Sequence, residues 1–297
     1  MVVQHNLTAM NSQRMLGITT GAQAKSTEKL SSGYKINRAA DDAAGLSISE
    51  KMRRQIRGLT QASANASDGI SCVQTAEGAL NEVQDMLQRM NELAVKGENG
   101  TLTSTDRGYI AAEVSQLMSE IDRVRETTTF NEKSLLDGSF SAVDLQVGAE
   151  TNTNNKITVK ITSMGTSSLA ASVTVKGFNT AASLVSTFKA YGATSAASRV
   201  EIKSSMFSGL NTWAKQAIKD VSMQRSDLGA IQNRLEHTIA NLDNVVENTT
   251  AAESQIRDTD MAAEMVKFSN NNILAQAGQA MLAQANQSNQ GVLSLLG

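Results

Sequence analysis

A regular spacing of apolar residues late in the chain predicts one long helix. Between residues 228 and 256, apolar and small side chains recur in alternating steps of three and four. This spacing is typical of the core positions, or seam, of a coiled coil. One helix cannot bury such a stripe by itself, so the pattern predicts a partner helix elsewhere in the chain. The main seam residues are Leu228, Ile231, Leu235, Leu242, Val245 and Ile256.

The same spacing between residues 48 and 96 identifies the partner. A helix of this span is roughly 70 Å long at a rise of 1.5 Å per residue. Gly58, Gly69 and Gly78 weaken it in isolation, and we expect them to allow close approach of a neighbouring helix. Its seam consists of Met52, Ile56, Leu59, Ser63, Ala66, Ile70, Val73, Ala76, Leu80, Val83, Leu87, Met90 and Ala94.

A third helix is predicted after a turn at residues 97–100. Thr103 with Asp106 forms a capping signal, and the same three-four spacing follows it, at Ile110, Val114, Leu117, Ile121 and Val124. The second and third helices therefore form a hairpin that faces the helix near the C-terminus, in a bundle of at least three helices.

The two ends of the chain carry weaker amphipathic stretches. Residues 2–30 and 258–296 place apolar residues among Ala, Gln, Asn and Ser. With so little to bury, we expect both ends to be poorly ordered in a free monomer and to order against a partner surface. Ser31, Ser32 and Gly33 break the first helix, and Asp41 with Asp42 suits the start of the next. Ser47 with Glu50 is a further candidate capping box.

The centre of the chain leaves the helical spacing. Lys156–Thr162 alternates as a strand with Ile157, Val159 and Ile161 on one face. Weaker strand candidates are Val173 with Val175 and Val200 with Ile202, and residues 182–190 form a short helix. The Ser and Thr side chains of this segment are candidate glycan sites, and solvated polar surface explains them equally well.

These elements predict a mainly α fold. Its body is a long antiparallel coiled-coil or helical-bundle rod built from both chain ends, with a small α+β central insertion. We expect three domains. Residues 1–43 and 257–297 form a terminal coiled coil, residues 44–145 and 206–256 form the helical rod, and residues 146–205 form a short outer domain.

Composition favours extended helical packing. Apolar residues make up 40% of the 297 positions, but aromatic residues make up only 3%, and the chain contains no proline. Large aromatic side chains usually dominate compact cores, and proline costs about 3 kcal/mol inside a helix. The single cysteine, Cys72, excludes an intramolecular disulfide, and we interpret it as a small buried hydrophobe.

Charge and hydropathy limit the classes of partner that we expect. The net charge is −2 and Lys and Arg do not cluster, so nucleic acid is not an expected partner. No apolar run approaches the length of a membrane span, so no membrane is expected either. Residues 1–13 lack the apolar core of a signal peptide. From these features alone we expect a cytoplasmic chain, unless it leaves the cell by a route that needs no cleaved signal.

No arrangement of residues predicts catalysis, a cofactor or a metal. The two histidines, His5 and His237, belong to different predicted helices, and the common catalytic, nucleotide-binding and metal-binding motifs are absent. We therefore expect the function to lie in surfaces. Two weak amphipathic ends can bury their apolar faces against neighbouring copies, and a contact that does not close builds a helical filament.

Several long motifs resemble bacterial flagellin. They are LSSGYKINRAADDAAGLSI at residues 30–48, GLTQAS at 58–63, QTAEGAL at 74–80 and VLSLL at 292–296. The resemblance covers about residues 1–150 and 206–297. It implies a subunit that polymerises into the extracellular flagellar filament, with both chain ends lining the channel. It also implies export through the flagellar type III apparatus without a cleaved signal.

The resemblance also implies partners. Residues 88–94 resemble the flagellin segment that Toll-like receptor 5 recognises, so Arg89, Leu93 and Glu113 would contact that receptor. Leu293, Leu295 and Leu296 resemble the part sensed by NAIP-type receptors. Further partners would be other copies of the chain, the export chaperone, the filament cap and the hook–filament junction proteins. The alternatives are a hook–filament junction protein and a secreted receptor-binding protein that does not polymerise.

Overall fold

The computed structural model describes residues 6–169, 181–193 and 203–293. Within these ranges the chain is mainly helical, as predicted, with short strands in its central part. The helices are α1 (Leu7–Ser32), α2 (Ala43–Glu98), α3 (Ser104–Thr127), α4 (Ala181–Ala193), α5 (Ser204–Arg257) and α6 (Met261–Leu293). The strands are β1 (Thr129–Phe130), β2 (Lys133–Ser134), β3 (Val143–Gln146) and β4 (Lys156–Val159).

The chain divides into two compact units. The terminal unit comprises residues 1–57 and 245–297, and the central unit comprises residues 58–244. This division differs from the three domains expected from the sequence (1–43 with 257–297, 44–145 with 206–256, and 146–205). Apolar side chains at residues 159–169 and 184–188 pack in one cluster with the long helices of the central unit. The division into three domains stays a prediction.

In the terminal unit, α1 and α6 pack antiparallel. Residues near the start of α1 contact the far part of α6: Asn6 donates a hydrogen bond from Nδ2 to the Ala285 carbonyl at 3.0 Å. Farther along, the Leu16 side chain lies beside Gly278. Ser26, near the end of α1, hydrogen-bonds Glu264 in the first turn of α6.

The turn between α1 and α2 follows the predicted capping residues. Gly33 has φ +77 and its N–H donates to the Lys29 carbonyl at 2.8 Å, which ends α1 in the left-handed conformation that glycine favours. Asp42 accepts from the Gly45 N–H at 2.9 Å and caps α2. The expected Ser47–Glu50 capping box is wrong, because α2 already begins at Ala43 and both residues lie inside it.

The core of the central unit joins α2, α3, α4 and α5 with the strand region. Trp213 on α5 is fully buried and donates from Nε1 to the Leu169 carbonyl at 3.1 Å. Phe188 on α4 meets Phe207 on α5 edge to face, with ring centroids 5.7 Å apart. Thr103 and Asp106 form the predicted capping box at the start of α3.

The strands form two antiparallel pairs. β1 pairs with β2 in the register Thr129↔Ser134, and β3 pairs with β4 in the register Leu145↔Ile157. Ile157, Val159 and Ile161 are buried on one face, as the alternation predicts. Gln224 on α5 holds the end of β4, because its Nε2 donates to the Lys160 carbonyl and its Oε1 accepts from the Thr162 N–H. The candidate strands at residues 173–175 and 200–202 lie outside the described residues.

Of the three glycines singled out in α2, Gly69 lies near α5, where a Cβ would be 3.5 Å from the Leu235 side chain, whereas Gly58 and Gly78 do not face a neighbouring helix, contrary to expectation. A Cβ at Gly58 would meet Ala149, and one at Gly69 would meet first the Leu145 side chain on β3. A Cβ at Gly78 would meet no atom within 4 Å. The close approach at the first two positions therefore involves the strand region, which the helical spacing cannot reveal.

Candidate functional site

The terminal unit exposes an unusual amount of apolar surface. Of the fourteen large apolar side chains that are exposed in the described part of the chain, ten lie on α1 and α6. Soluble monomers rarely leave so many together, and such surfaces mark interaction sites. We call this set the terminal apolar surface: Leu7, Met10, Met15, Ile18, Met261, Met265, Val266, Ile273, Leu274 and Met281.

A groove follows the line where α1 and α6 meet. Its volume is about 330 Å³, and its lining includes Met15 and Leu16 from α1 and Leu274 and Met281 from α6. Gly278 forms part of its floor, where the Leu16 Cδ1 atom lies 3.3 Å from the position of a Cβ. The two helices thus cover only part of each other's apolar residues, and the rest stay open to a partner.

One buried carboxylate fixes the register of the pair. Glu264 is 6% exposed and hydrogen-bonds Ser26 on α1, while Lys267 donates to it at 3.2 Å. The Ser26 hydrogen bond is the main influence that holds the pKa of Glu264 below its usual range, despite the opposing effect of burial. The carboxylate is therefore ionised at neutral pH and specifies which turn of α6 meets α1.

Arg257, at the end of α5, contacts the segment that connects α1 to α2. Its carbonyl accepts from the Lys35 N–H at 2.7 Å, and Asp258 next to it bridges to Tyr34. The guanidinium lies 4.7 Å from the centre of the Tyr34 ring and donates to Glu50 on α2 at 2.9 Å. Sequence reasoning missed this residue, because nothing in the local pattern shows that Arg257 meets a tyrosine 223 positions earlier.

The second predicted surface lies on α2 and α3 of the central unit. Arg89 donates from Nε and Nη2 to one oxygen of Glu113, at 3.0 and 2.9 Å, and from Nη1 to Glu92 at 3.1 Å. The hydrogen bonds that Arg89 donates to these carboxylates, the one to Glu113 having the larger effect, raise the pKa of Arg89. Both side chains of the Arg89–Glu113 pair are exposed, at 52% and 45%. The pair presents an ordered charged face to solvent.

Leu93 does not belong to this face. Its side chain is only 3% exposed and packs into the core of the central unit. In this structure Leu93 packs in the core, and its expected contact with a receptor stays a prediction. The side chain is buried because it lies on the inner side of α2, beside the seam residues Met90 and Ala94.

The other predicted site residues are the seam residues of α5, which differ in how deeply they are buried, and the leucines at the C-terminal end. Leu228 and Leu235 on α5 are fully buried and Leu242 is nearly so, while Ile231, Val245 and Ile256 are half-buried. Leu293 is the last residue of α6. Leu295 and Leu296 lie outside the described residues.

No chemical centre emerges from the described ranges. They contain no group of three or more His, Cys, Asp or Glu side chains placed to hold a metal ion. Cys72 is buried as predicted, and burial raises the pKa of its thiol. Among the described residues, no helix combines the length and the hydropathy that crossing a membrane requires.

Comparison with known proteins gives consistent relatives at both ends of the chain. Residues 3–141 match the bacterial flagellin N-terminal helical region, and residues 212–296 match the bacterial flagellin C-terminal helical region. A flagellin of Halalkalibacterium halodurans is 50% identical over 296 residues, and a flagellin of Bacillus subtilis is 48% identical over 312. Each alignment covers all of both chains.

A solved structure described as a flagellar hook-associated protein from Vibrio parahaemolyticus shares the fold. It is 13% identical, with a TM-score of 0.57, over 73% of this chain and all of that chain. At this identity the likeness concerns the fold alone.

Proposed function

The chain belongs to the bacterial flagellin family and is a subunit of the extracellular flagellar filament, and from this premise we propose that α1 and α6 form the contact between subunits. The observation that carries the proposal is the terminal apolar surface. A structural subunit without enzymatic activity acts through such surfaces. Residues 1–43 and 257–297 are then the part of each subunit that forms the filament core.

Burial of this surface supplies the driving force for polymerisation. Each square ångström of apolar surface removed from water contributes about 25 cal/mol. The surface lies on both α1 and α6, and we propose that one subunit uses it to contact more than one neighbour. Contacts between different patches on successive copies do not close on themselves, and they extend into a helix.

Deletion of residues 1–30 tests this proposal. The shortened chain keeps the seams of α2 and α5, so we expect its central unit to remain folded by circular dichroism and thermal melting. It lacks nearly all of α1, so we expect no filaments by electron microscopy after seeding with short filament fragments. Filaments of normal length from the shortened chain would overturn the proposal.

We also propose that the Arg89–Glu113 face contacts Toll-like receptor 5 in animal hosts. The resemblance of residues 88–94 to the recognised flagellin segment motivates this role, and the exposed, ordered ion pair supports it. A planar guanidinium with a fixed orientation suits recognition by carboxylates and carbonyls of a partner. The same face also suits packing between subunits.

A pair of variants tests receptor binding. Arg89→Ala removes the central cation of the face, and we expect about a tenfold or greater loss of receptor-dependent signalling by the monomer. Arg123→Ala is the matched control, because Arg123 forms a comparable exposed ion pair with Glu120 on α3. Equal signalling by both variants and the unmodified chain would rule out the proposed receptor contact.

The remaining proposals rest on the family resemblance. We propose that Leu293, Leu295 and Leu296 serve filament assembly and recognition by NAIP-type receptors. We further propose that the chain is exported by the flagellar type III apparatus without a cleaved signal. An export chaperone, the filament cap and the hook–filament junction proteins would then be its bacterial partners.

A further inference from the structure

Methionine is the main large residue of the terminal apolar surface. Within the described part of the chain, six methionines are exposed, and five of them lie on α1 and α6. Their exposed fractions range from 47% at Met261 to 64% at Met281. By contrast Met90, Met118 and Met164 are buried in the central unit. Half of the ten residues of the terminal apolar surface therefore carry a thioether open to solvent.

We propose that the exposed methionines of α1 and α6 are oxidation sites of the free subunit, and that their conversion to methionine sulfoxide blocks filament assembly. The oxidant is of the peroxide class. This inference rests on the proposed role of α1 and α6 as the contact between subunits, and it adds a chemical control to that contact.

The chemistry is a two-electron oxygen transfer. The thioether sulfur attacks one oxygen of hydrogen peroxide, so the O–O bond breaks as the S–O bond forms. The proton on the attacked oxygen passes to the departing hydroxide, which leaves as water. Sulfur is oxidised and the peroxide is reduced. The product replaces a flexible apolar side chain with a polar, chiral one.

The position of Met15 and Met281 makes the effect on packing specific. Both side chains line the groove of about 330 Å³ between α1 and α6. A sulfoxide oxygen buried there by a neighbouring subunit needs a hydrogen-bond donor. The α6 side of the lining offers no polar side chain, with Leu274 and Ala277 beside Met281. The polar side chains lie on α1, at Asn11, Ser12 and Thr19, and the Thr19 hydroxyl already donates to the Met15 carbonyl at 3.0 Å. An unpaired buried polar group opposes association.

Cys72 does not compete for the oxidant. It is only 7% exposed, and burial raises the pKa of its thiol, so little of the reactive thiolate is present at neutral pH. The exposed thioethers need no deprotonation. In the described part of the chain the exposed sulfur atoms are therefore those of the five methionines on α1 and α6 and of Met223.

The test compares seeded assembly before and after treatment of the monomeric full-length chain with hydrogen peroxide. Mass spectrometry locates the sulfoxides, and circular dichroism checks the fold. We expect the oxidised chain to elongate seeds at least about tenfold more slowly. We also expect peroxide to spare these methionines in assembled filaments.

Substitutions separate the terminal methionines from the others. A chain with Met10→Leu, Met15→Leu, Met261→Leu, Met265→Leu and Met281→Leu should assemble equally well before and after peroxide. The matched control is Met223→Leu, which removes an exposed methionine of the central unit and should leave the sensitivity unchanged. Sensitivity that persists in the fivefold variant, or vanishes with Met223→Leu, would overturn the proposal.

Glutamine substitutions imitate the polarity of methionine sulfoxide and test the proposal without an oxidant. Met15→Gln with Met281→Gln places polar groups in the groove and should slow elongation, whereas Met223→Gln should not. Unchanged elongation of the double variant would contradict the proposal. Failure of the untreated, unmodified chain to elongate seeds would instead overturn the proposed contact between subunits.

Discussion

Gly97 lies in the last turn of α2, directly against the ring of Phe207 on α5. A Cβ at this position would lie 2.5 Å from the Phe207 Cδ1 atom. Phe207 is fully buried and packs against Phe188, so the ring has no room to move away. The absence of one methyl group therefore decides how closely the two helices approach at this point.

Alanine substitutions at two glycines of α2 should have opposite effects. Gly97→Ala should lower the free energy of unfolding by about 1–3 kcal/mol, because the methyl group overpacks the core. Gly78→Ala should raise it by about 0.5–1 kcal/mol, because the site is open and alanine favours the helix. Urea denaturation measures both. Changes of the same sign would show that the packing at Gly97 is misplaced.

Asp122 is the charged residue most deeply involved in the core contacts of α3. It accepts from the N–H and the hydroxyl of Thr166, and it pairs with Lys189 on α4. Burial alone would raise its pKa, but the hydrogen bonds from Lys189 and Thr166 outweigh burial and hold the pKa of Asp122 below its usual range. The carboxylate thus connects three parts of the central unit.

This connection predicts an acid-dependent loss of stability. Because the pKa is lower in the folded chain than its unfolded value of about 3.9, the contribution of Asp122 is complete well above that pH. It is lost as the pH falls through the folded pKa. Asp122→Asn should lower the free energy of unfolding by about 1–2 kcal/mol at pH 7. It should also make the fall in melting temperature between about pH 5 and about pH 3 less steep than in the unmodified chain. Asp85→Asn, at an exposed position on α2, is the control and should follow the unmodified chain.

At the scale of elements, the long helices follow from the sequence almost completely. The three-four spacing places the inner faces of α2, α3 and α5, and the Thr103–Asp106 pair and Gly33 mark boundaries that the structure confirms. These features are local, so periodicity and capping preferences suffice to find them. The predicted Ser47–Glu50 capping box is wrong because Asp42 caps α2 earlier in the sequence.

The middle segment was less predictable for a physical reason. Its apolar residues, such as Met164 and Phe188, are few and irregularly spaced, so the sequence cannot show that they share the core of the long helices. The same holds for the Arg257–Tyr34 contact and for the burial of Leu93, which depend on tertiary packing. The expected poor order of both chain ends in a free monomer stays a prediction.

The α5 seam can be tested at one position. Leu235 is fully buried among Ala66, Val147 and Ile157. Leu235→Asp places an unpaired carboxylate there and should cost about 3–5 kcal/mol of stability. The neighbouring exposed position supplies the control, and Asn233→Asp should change stability by less than about 0.5 kcal/mol. Equal melting temperatures for the two variants would show that the seam is assigned to the wrong face.

At the scale of the whole molecule, the two units differ in how far they bury their apolar side chains. The central unit buries most of its large apolar side chains in a core that joins four helices with the strand region, and in a smaller cluster around Leu235. In its described part the terminal unit leaves eleven such side chains exposed, ten of them on α1 and α6. A subunit of this kind is folded in one part and completed by its neighbours in the other, so polymerisation and ordering of the terminal unit are expected to occur together.

The most direct test of this account is electron microscopy of seeded assembly with a single altered residue. Ile273 is 62% exposed on α6, and Ile273→Asp places a charge on the terminal apolar surface without touching the central unit. With short filament seeds and a precipitating salt that strengthens apolar burial, the unmodified chain and Ile273→Val should form long tubes, while Ile273→Asp should remain monomeric and folded. Long tubes from Ile273→Asp, or persistent monomers from the unmodified chain, would contradict the account.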